Sequence, residues 1–143
     1  MDVTGSYTFN ATPDRVWALL MDPAAIAGCI PGCDRFEPDG VDRYKATLTL
    51  GLAAITGTYE GTVVITEKTP TTSYRLKVEG QGKPGFVQGD VAITLRAEGA
   101  TTVVDVNGSV ETGGAVARLG QRLIGNVSRM MQDRFFACLQ TKL

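Results

Sequence analysis

Apolar residues recur at steps of three and four along the last stretch of the chain, from about residue 115 to residue 143. This spacing places them on one face of an α-helix, opposite a face rich in arginine and amide side chains. At 1.5 Å per residue, such a helix would be roughly 40 Å long and could cross a small domain. Gly120 and Gly125 each cost about 1 kcal/mol in a helix relative to alanine, so we expect a bend or a close backbone approach there. The apolar positions are Val116, Leu119, Leu123, Val127, Met130, Met131, Phe135 and Cys138.

Most of the chain before this helix alternates between apolar and polar residues, which is the pattern of half-buried β-strands. After the first strand, Thr12-Pro13 and Asp22-Pro23 each supply an N-cap residue and a first-turn proline, which predicts two short helices. Six further strands follow, separated by turn signals. This order predicts an α+β protein with a helix-grip fold, in which a curved seven-stranded antiparallel sheet wraps around the long C-terminal helix.

The composition of the chain argues against several classes of function. A chain of 143 residues with 43% hydrophobic residues suits one globular domain, residues 1–143. The formal charge of -1 gives no electrostatic basis for binding nucleic acid. No apolar run approaches the roughly 20 residues of a membrane span. The chain has no histidine, which removes the commonest general base and most zinc and haem sites. We therefore expect neither a catalytic residue nor a metal site.

The three cysteines bear on the cellular compartment and on the possibility of a metal site. Cys29, Cys33 and Cys138 are an odd number without a secretory signal, which predicts a reducing cytoplasm as the location. Cys29 and Cys33 flank Pro31-Gly32 and have no histidine to complete a metal site. The spacing therefore favours a turn over a metal or redox pair.

Glycines fall at inward-facing positions of several strands. Gly61, Gly80 and Gly108 alternate with outward polar residues, and Gly89 has the same parity as Val91. Each glycine could mark a bend or bulge that lets the sheet curl around the helix. Together, they could instead leave a volume that the helix does not fill, which predicts an apolar ligand cavity. The residues expected to line it are Leu50, Tyr59, Val78, Phe86, Leu119, Leu123, Ile124, Val127 and Met131.

The mouth of this cavity follows from the strand order. Alternate ends of an antiparallel meander share an edge, so loops 51–57 and 82–86 should meet the start of the long helix at 112–114. Both loops carry apolar residues where Asn, Asp or Ser is usual. Apolar tips beside a basic helix face are typical of a surface that contacts an anionic membrane or a partner protein. Alternatively, Leu52 and Ile55 pack under the edge of the sheet. The residues expected to contact a membrane are Leu52, Ile55, Phe86, Arg118 and Arg122.

Short motifs are spread over nearly the whole chain: Gly5-Ser6-Tyr7, Pro13-x-x-Val16-Trp17, Asp22-Pro23, Cys29-Ile30-Pro31-Gly32-Cys33, Gly57-x-Tyr59-x-Gly61, Gly80-x-Gly82, Gly113-Gly114 with Leu119-Gly120, and Asp133-x-Phe135-Phe136. Together they resemble the family of the carbon monoxide dehydrogenase G subunit, and the Ile-Pro-Gly turn is their most distinctive part. That family belongs to the START/polyketide-cyclase (SRPBCC) superfamily. The resemblance implies a helix-grip fold that encloses a ligand cavity.

The resemblance also implies a role and a place in the cell. It implies a non-catalytic accessory protein of an aerobic carbon monoxide dehydrogenase or a related molybdenum hydroxylase, which attaches that enzyme to the inner face of the cell membrane. Many relatives continue past this helix into a membrane-associating tail. This chain ends at Leu143, so either that tail is absent from it or attachment works without one.

Combining the resemblance with the expected cavity predicts a carrier for a lipophilic ligand. Electrons that leave such an enzyme must reach a respiratory quinone, menaquinone or ubiquinone, which is too apolar to leave a bilayer unaided. A domain with an apolar, basic-rimmed mouth could take up the quinone tail and present the head group to the enzyme. Two alternatives remain. One is a membrane adaptor or assembly factor with a filled core, and the other is a small cyclase or hydrolase with an inward-facing polar pair.

Overall fold

The computed structural model describes residues 1–51 and 55–143. In chain order, the elements are β1 (Asp2–Phe9), α1 (Pro13–Leu20), α2 (Pro23–Cys29), β2 (Cys33–Pro38), β3 (Arg43–Leu50), β4 (Gly57–Thr69), β5 (Ser73–Gly82), β6 (Gly85–Glu98), β7 (Thr101–Gly113), a 3-10 turn (Val116–Leu119) and α3 (Gly120–Gln140). The strands form one antiparallel sheet of seven in the order β1-β7-β6-β5-β4-β3-β2. The predicted α+β helix-grip fold is confirmed.

The two short helices begin where the sequence predicts, but their caps differ. A proline occupies the first turn of each helix. The Asp22 carboxylate accepts a hydrogen bond of 3.0 Å from the backbone N–H of Ala24, as an N-cap residue should. The Thr12 side chain makes no capping hydrogen bond. At Thr12, the fixed φ of Pro13 therefore contributes more to starting the helix than the cap does.

The C-terminal helical region is broken, which corrects the prediction of one continuous helix from residue 115. It starts with the 3-10 turn, and Gly120 follows with φ of 82° and ψ of 157°. A residue with a side chain rarely adopts that φ, so this glycine permits the predicted bend. Gly125 has neither a bend nor a close neighbour, because a Cβ built there would meet no atom within 4 Å. The regular helix α3 is 21 residues long, or about 30 Å.

Over residues 1–51 and 55–143, most buried hydrophobic residues fall into two clusters. The lower cluster lies where α1, α2 and the C-terminal end of α3 meet the sheet. Its most buried members are Phe9, Val16, Val104 and Leu139, each at most 1% exposed. The upper cluster is smaller and has Ile55, Tyr59 and Val116 at its centre. The lower cluster therefore covers one end of the sheet, and the smaller upper cluster covers the other.

A disulfide joins Cys29, the last residue of α2, to Cys138 near the end of α3. This corrects the expectation of reduced cysteines. The chain order could not reveal the pair because 109 residues separate the two positions. Packing of α2 against α3 in the lower cluster brings their Cα atoms to 5.4 Å, which a disulfide can span. Cys33, at the start of β2, is free.

Gly120 and Gly125 provide a matched pair of substitutions. We expect Gly120→Ala to lower the free energy of unfolding by about 1–2 kcal/mol, because alanine is strained at a left-handed φ. We expect Gly125→Ala to raise it by about 1 kcal/mol, because this position has ordinary helical surroundings and space for a methyl group. Urea unfolding of both variants measures the difference. Shifts of the same sign would contradict the break at Gly120.

Candidate functional site

We call the region between the two hydrophobic clusters the space beneath α3, because α3 makes few close backbone approaches to β4 and β5 there. Among the described residues, Val63, Val78 and Met131 belong to neither cluster, and each is only partly buried. The fully buried side chains of α3 are Phe136 and Leu139, both near its C-terminal end. The backbone of α3 makes close approaches to α2 and β1. The central strands therefore keep apolar surface that α3 covers incompletely.

The four inward glycines differ in what an added Cβ would meet, and at Gly89 it would make ordinary contact, 3.6 Å from Val110. A Cβ at Gly61 would collide with the backbone oxygen of Glu79, and one at Gly108 would collide with that of Asp90. These two glycines permit close backbone contact, as the interpretation by bends requires. A Cβ at Gly80 would meet nothing within 4 Å. At this position the missing side chain leaves open volume beside Val78.

Five of the residues predicted to line the cavity belong to the upper cluster or pack against it. Tyr59 lies in the upper cluster, and Leu50, Leu119, Ile124 and Val127 pack against that cluster. Val78 and Met131 belong to neither cluster. Leu123 is 43% exposed, so it lies on the rim of the space rather than on its wall. The break at Gly120 changes the phase of the helix, so the apolar spacing that starts at Val116 does not continue through Leu123.

The prediction that Phe86 lines the cavity is corrected by the register of β6. Ile93 and Leu95 are buried in the lower cluster, so odd-numbered residues of β6 face the helix. Phe86 lies on the opposite face, is 43% exposed, and places its ring over Gly113 of β7. Val87 packs against the upper cluster instead. The sequence held this signal, because Val87 has the same parity as the buried strand residues that follow it.

Tyr59 and Ile55 hold the upper cluster together. The Tyr59 hydroxyl donates a hydrogen bond of 2.8 Å to the backbone oxygen of Ile55, and burial raises the pKa of Tyr59. Ile55 is 8% exposed, so its side chain packs under the sheet edge and not on the surface. This outcome was the open alternative to membrane contact for Ile55. Leu52, predicted to contact a membrane, lies outside the described residues.

The three predicted tips meet at one edge, which we call the tip edge: residues 55–57, 83–85 and 113–116. The backbone N–H of Val116 donates a hydrogen bond of 2.8 Å to the oxygen of Pro84. A Cβ at Gly57 would lie 3.3 Å from the Pro84 ring, and Gly114 packs against Gly85. The predicted common edge is therefore confirmed. Sequence reasoning missed Lys83, an exposed cation in the turn between β5 and β6.

Charge and apolar surface coincide near the tip edge. Arg118, in the 3-10 turn, and Arg122, in the first turn of α3, are both exposed. Phe86, at the start of β6, and Leu123, next to Arg122 in α3, add exposed apolar surface. The predicted combination of apolar and basic groups is thus present at this end of the protein, although Ile55 does not contribute to it.

Two surface grooves run along the seam between β1 and α3, with volumes of about 210 and 190 Å³. In the first, the Tyr7 hydroxyl donates a hydrogen bond of 2.8 Å to Asp133, and the Tyr7 ring stacks on Phe136. Burial and this carboxylate raise the pKa of Tyr7. None of the residues predicted to line the cavity lines either groove. This polar pair thus lies apart from the space between the clusters.

Within residues 1–51 and 55–143, no three His, Cys, Asp or Glu side chains are grouped so that they could hold a metal ion. Over the same residues, no helix has both the length and the apolar character needed to cross a bilayer.

Comparison with known proteins identifies the family. Residues 5–143 match the model of the family described as the G subunit of carbon monoxide dehydrogenase (CoxG). The chain belongs to this family. The matched region includes both hydrophobic clusters and the whole of α3, so the space beneath α3 lies within the CoxG part of the chain. No curated protein matches it.

Solved structures share the fold of this chain over nearly its whole length. A conserved protein from Geobacillus kaustophilus is 37% identical and has a TM-score of 0.96, with 99% of this chain and 94% of that chain covered. The Mll3558 protein from Rhizobium loti shares 14% identity at a TM-score of 0.77, covering 100% and 96% of the two chains. Ara h 8.0201 shares 14% identity at a TM-score of 0.73, with 99% of this chain and 96% of that chain covered. The last two show the fold alone.

Substitutions at Gly61 and Gly80 give a direct test of the open volume. We expect Gly61→Val to lower the free energy of unfolding by about 1–3 kcal/mol, because its side chain collides with backbone. We expect Gly80→Val to leave it unchanged or raise it by up to about 1 kcal/mol, because valine favours strands and finds free space. Urea unfolding compares the two. Equal destabilisation would show that the space above Gly80 is already filled.

Proposed function

We propose that this chain carries a lipophilic ligand, a respiratory quinone, and links a carbon monoxide dehydrogenase or related molybdenum hydroxylase to the membrane. The observation that supports the proposal is the incompletely covered apolar space beneath α3, with open volume at Gly80. Its upper end lies at the tip edge, where apolar and basic side chains are exposed together.

The chemistry of this space favours a hydrocarbon tail over a polar head group. Val63, Val78 and Met131 are apolar, and the nearby Tyr59 hydroxyl already donates to a backbone oxygen. A polar group placed there would lose its hydrogen bonds to water, at a cost of about 1–3 kcal/mol each. An isoprenoid tail loses nothing by the same transfer. The tail therefore enters first, and the uncharged quinone ring stays at the tip edge.

The tip edge has the surface that a membrane carrier needs. Phe86 and Leu123 can enter the interfacial layer of a bilayer, while Arg118 and Arg122 meet anionic head groups at about 1 kcal/mol per charge. In this proposal the protein lies in the cytoplasm, peripheral to the inner face of the cell membrane. A quinone tail could then pass from lipid into the space beneath α3 without crossing water.

Membership of the CoxG family supports the choice of partner, because the family is described as a subunit of carbon monoxide dehydrogenase. In this role, the chain is an accessory protein and does no chemistry itself. It holds the quinone ring where the enzyme can deliver electrons. An adaptor that recruits the enzyme without a ligand would use the same tip edge, so ligand uptake separates the two functions.

Quinone uptake tests the carrier directly. The purified protein is incubated with vesicles that contain menaquinone or ubiquinone, separated from them, and extracted with organic solvent for mass spectrometry. We expect bound quinone in the wild type and about tenfold less in Gly80→Leu, because a leucine side chain of this size occupies the space. Gly28→Ala in α2 is the control, since its Cβ meets only Lys142 atoms at 3.9 Å or more. A wild type that stays empty would contradict the carrier and leave the adaptor.

Membrane contact is tested separately with vesicles of anionic lipid. We expect the double variant Phe86→Ser, Leu123→Ser to bind these vesicles about tenfold or more weakly, because each lost side chain contributes about 1 kcal/mol or more of interfacial burial. Cosedimentation measures the loss. Val41→Ser is the matched control, because Val41 is 93% exposed in the turn between β2 and β3, at the opposite end of the sheet. An equal loss for Val41→Ser, or none for the double variant, would rule out docking through the tip edge.

A further inference from the structure

The Cys29–Cys138 disulfide lies at the end of the protein away from the tip edge. Helix α3 begins at Gly120, beside that edge, and Cys138 is in its last turn. Cys29 is the last residue of α2 and belongs to the lower cluster. The disulfide therefore ties α2 to the far end of the helix that covers the apolar space.

Apart from this bond, the fully buried residues of α3 lie at the same end. Its buried residues are Phe136 and Leu139, while the preceding residues from Gly120 to Phe135 are partly or fully exposed. The 3-10 turn before α3 lies between Gly114, with φ of 71°, and Gly120, with φ of 82°. We call the burial of Phe136 and Leu139 in the lower cluster the pivot of α3. The other end of the helix lies beside the tip edge, where Ile124 and Val127 pack against the upper cluster without being fully buried.

The two cysteine residues of the disulfide differ in their exposure to solvent. Cys29 is 4% exposed, whereas Cys138 is only partly buried. A reductant from solution would therefore attack the Cys138 side. The third cysteine, Cys33, is a poor competitor for attack on this disulfide. Burial raises the pKa of its thiol, and its Sγ donates to the backbone oxygen of Arg35. A protonated thiol is a poor nucleophile for disulfide exchange.

We propose that the Cys29–Cys138 disulfide is a redox-sensitive clamp that fixes the pivot of α3 and is opened by a dithiol reductant. A thiolate of the dithiol attacks Sγ of Cys138, the S–S bond breaks, and Cys29 leaves as a thiolate that takes up a proton. The second thiol of the dithiol then displaces Cys138, which leaves as a thiolate and is protonated in turn. Two electrons pass to the protein, and the dithiol ends as a cyclic disulfide.

Opening the clamp changes what holds α3. The covalent loop of 109 residues is released, so local opening of α2 and α3 becomes more frequent. Phe136 and Leu139 then hold the pivot by packing alone. If the space beneath α3 holds a quinone, which rests on the function proposed above, the oxidised protein retains it longer than the reduced one. The clamp itself does not depend on that ligand.

Hydrogen–deuterium exchange, followed by mass spectrometry, tests the clamp on the full chain. Peptides from α2 and from the C-terminal half of α3 are compared before and after treatment with dithiothreitol. We expect exchange in these peptides to rise by about tenfold or more on reduction, with little change in β4 and β5. Cys138→Ser should exchange like the reduced wild type with or without dithiothreitol. Cys33→Ser is the control and should keep the wild-type response.

The outcomes separate the clamp from the proposed function. Three titratable thiols in the untreated protein, or equal exchange before and after reduction, would overturn the clamp. Altered exchange in a protein that never binds quinone would support the clamp and count against the carrier. For a quinone-loaded protein, we expect release to be about tenfold faster after reduction. Unchanged release would overturn the clamp's control of the ligand, even where the carrier stands.

Discussion

The anchoring of α3 at one end is the constraint on which the rest of the structure depends. Phe136 and Leu139 enter the lower cluster, and the disulfide holds the same region to α2. At the other end, Val116 of the 3-10 turn is held at the tip edge by its hydrogen bond to Pro84. Between these two points, a stretch that the structure describes throughout, no side chain of α3 is fully buried. The sheet is closed at both ends and incompletely covered between them.

The strands reinforce this arrangement through their glycines. Gly61 and Gly108 let neighbouring backbones approach, which suits a sheet that must curve. Gly80 serves no such contact, and its missing side chain leaves space that faces the helix. A well-packed domain would normally fill such a position, because interiors approach the density of organic crystals. The unfilled position is what favours a ligand as the missing part of the core.

Much of this arrangement could be predicted from the sequence, because alternation and turn signals act locally. The order of elements, the two short helices and the common edge of the tips all follow from patterns within a few residues. The break at Gly120 was foreseen as a bend but not as the start of a new helical phase, so Leu123 was placed too far inward. Parity applied back to Val87 would have placed Phe86 on the outer face.

The remaining differences arise from contacts between distant parts of the chain. The Cys29–Cys138 pair depends on how α2 packs against α3, which no local pattern contains. Ile55 is buried in the upper cluster with Val116, which follows β7 much later in the chain. Family resemblance indicated the fold and the partner enzyme, but it could not distinguish glycines that permit close contact from one that leaves a space.

A crystal structure of the protein grown with a short-tailed quinone tests the central claim most directly. The account predicts density for the isoprenoid tail between α3 and the sheet, in contact with Val78 and Met131 and directly above Gly80, with the ring at the tip edge. A structure in which α3 side chains close onto Gly80, and quinone is absent or bound elsewhere, would contradict it.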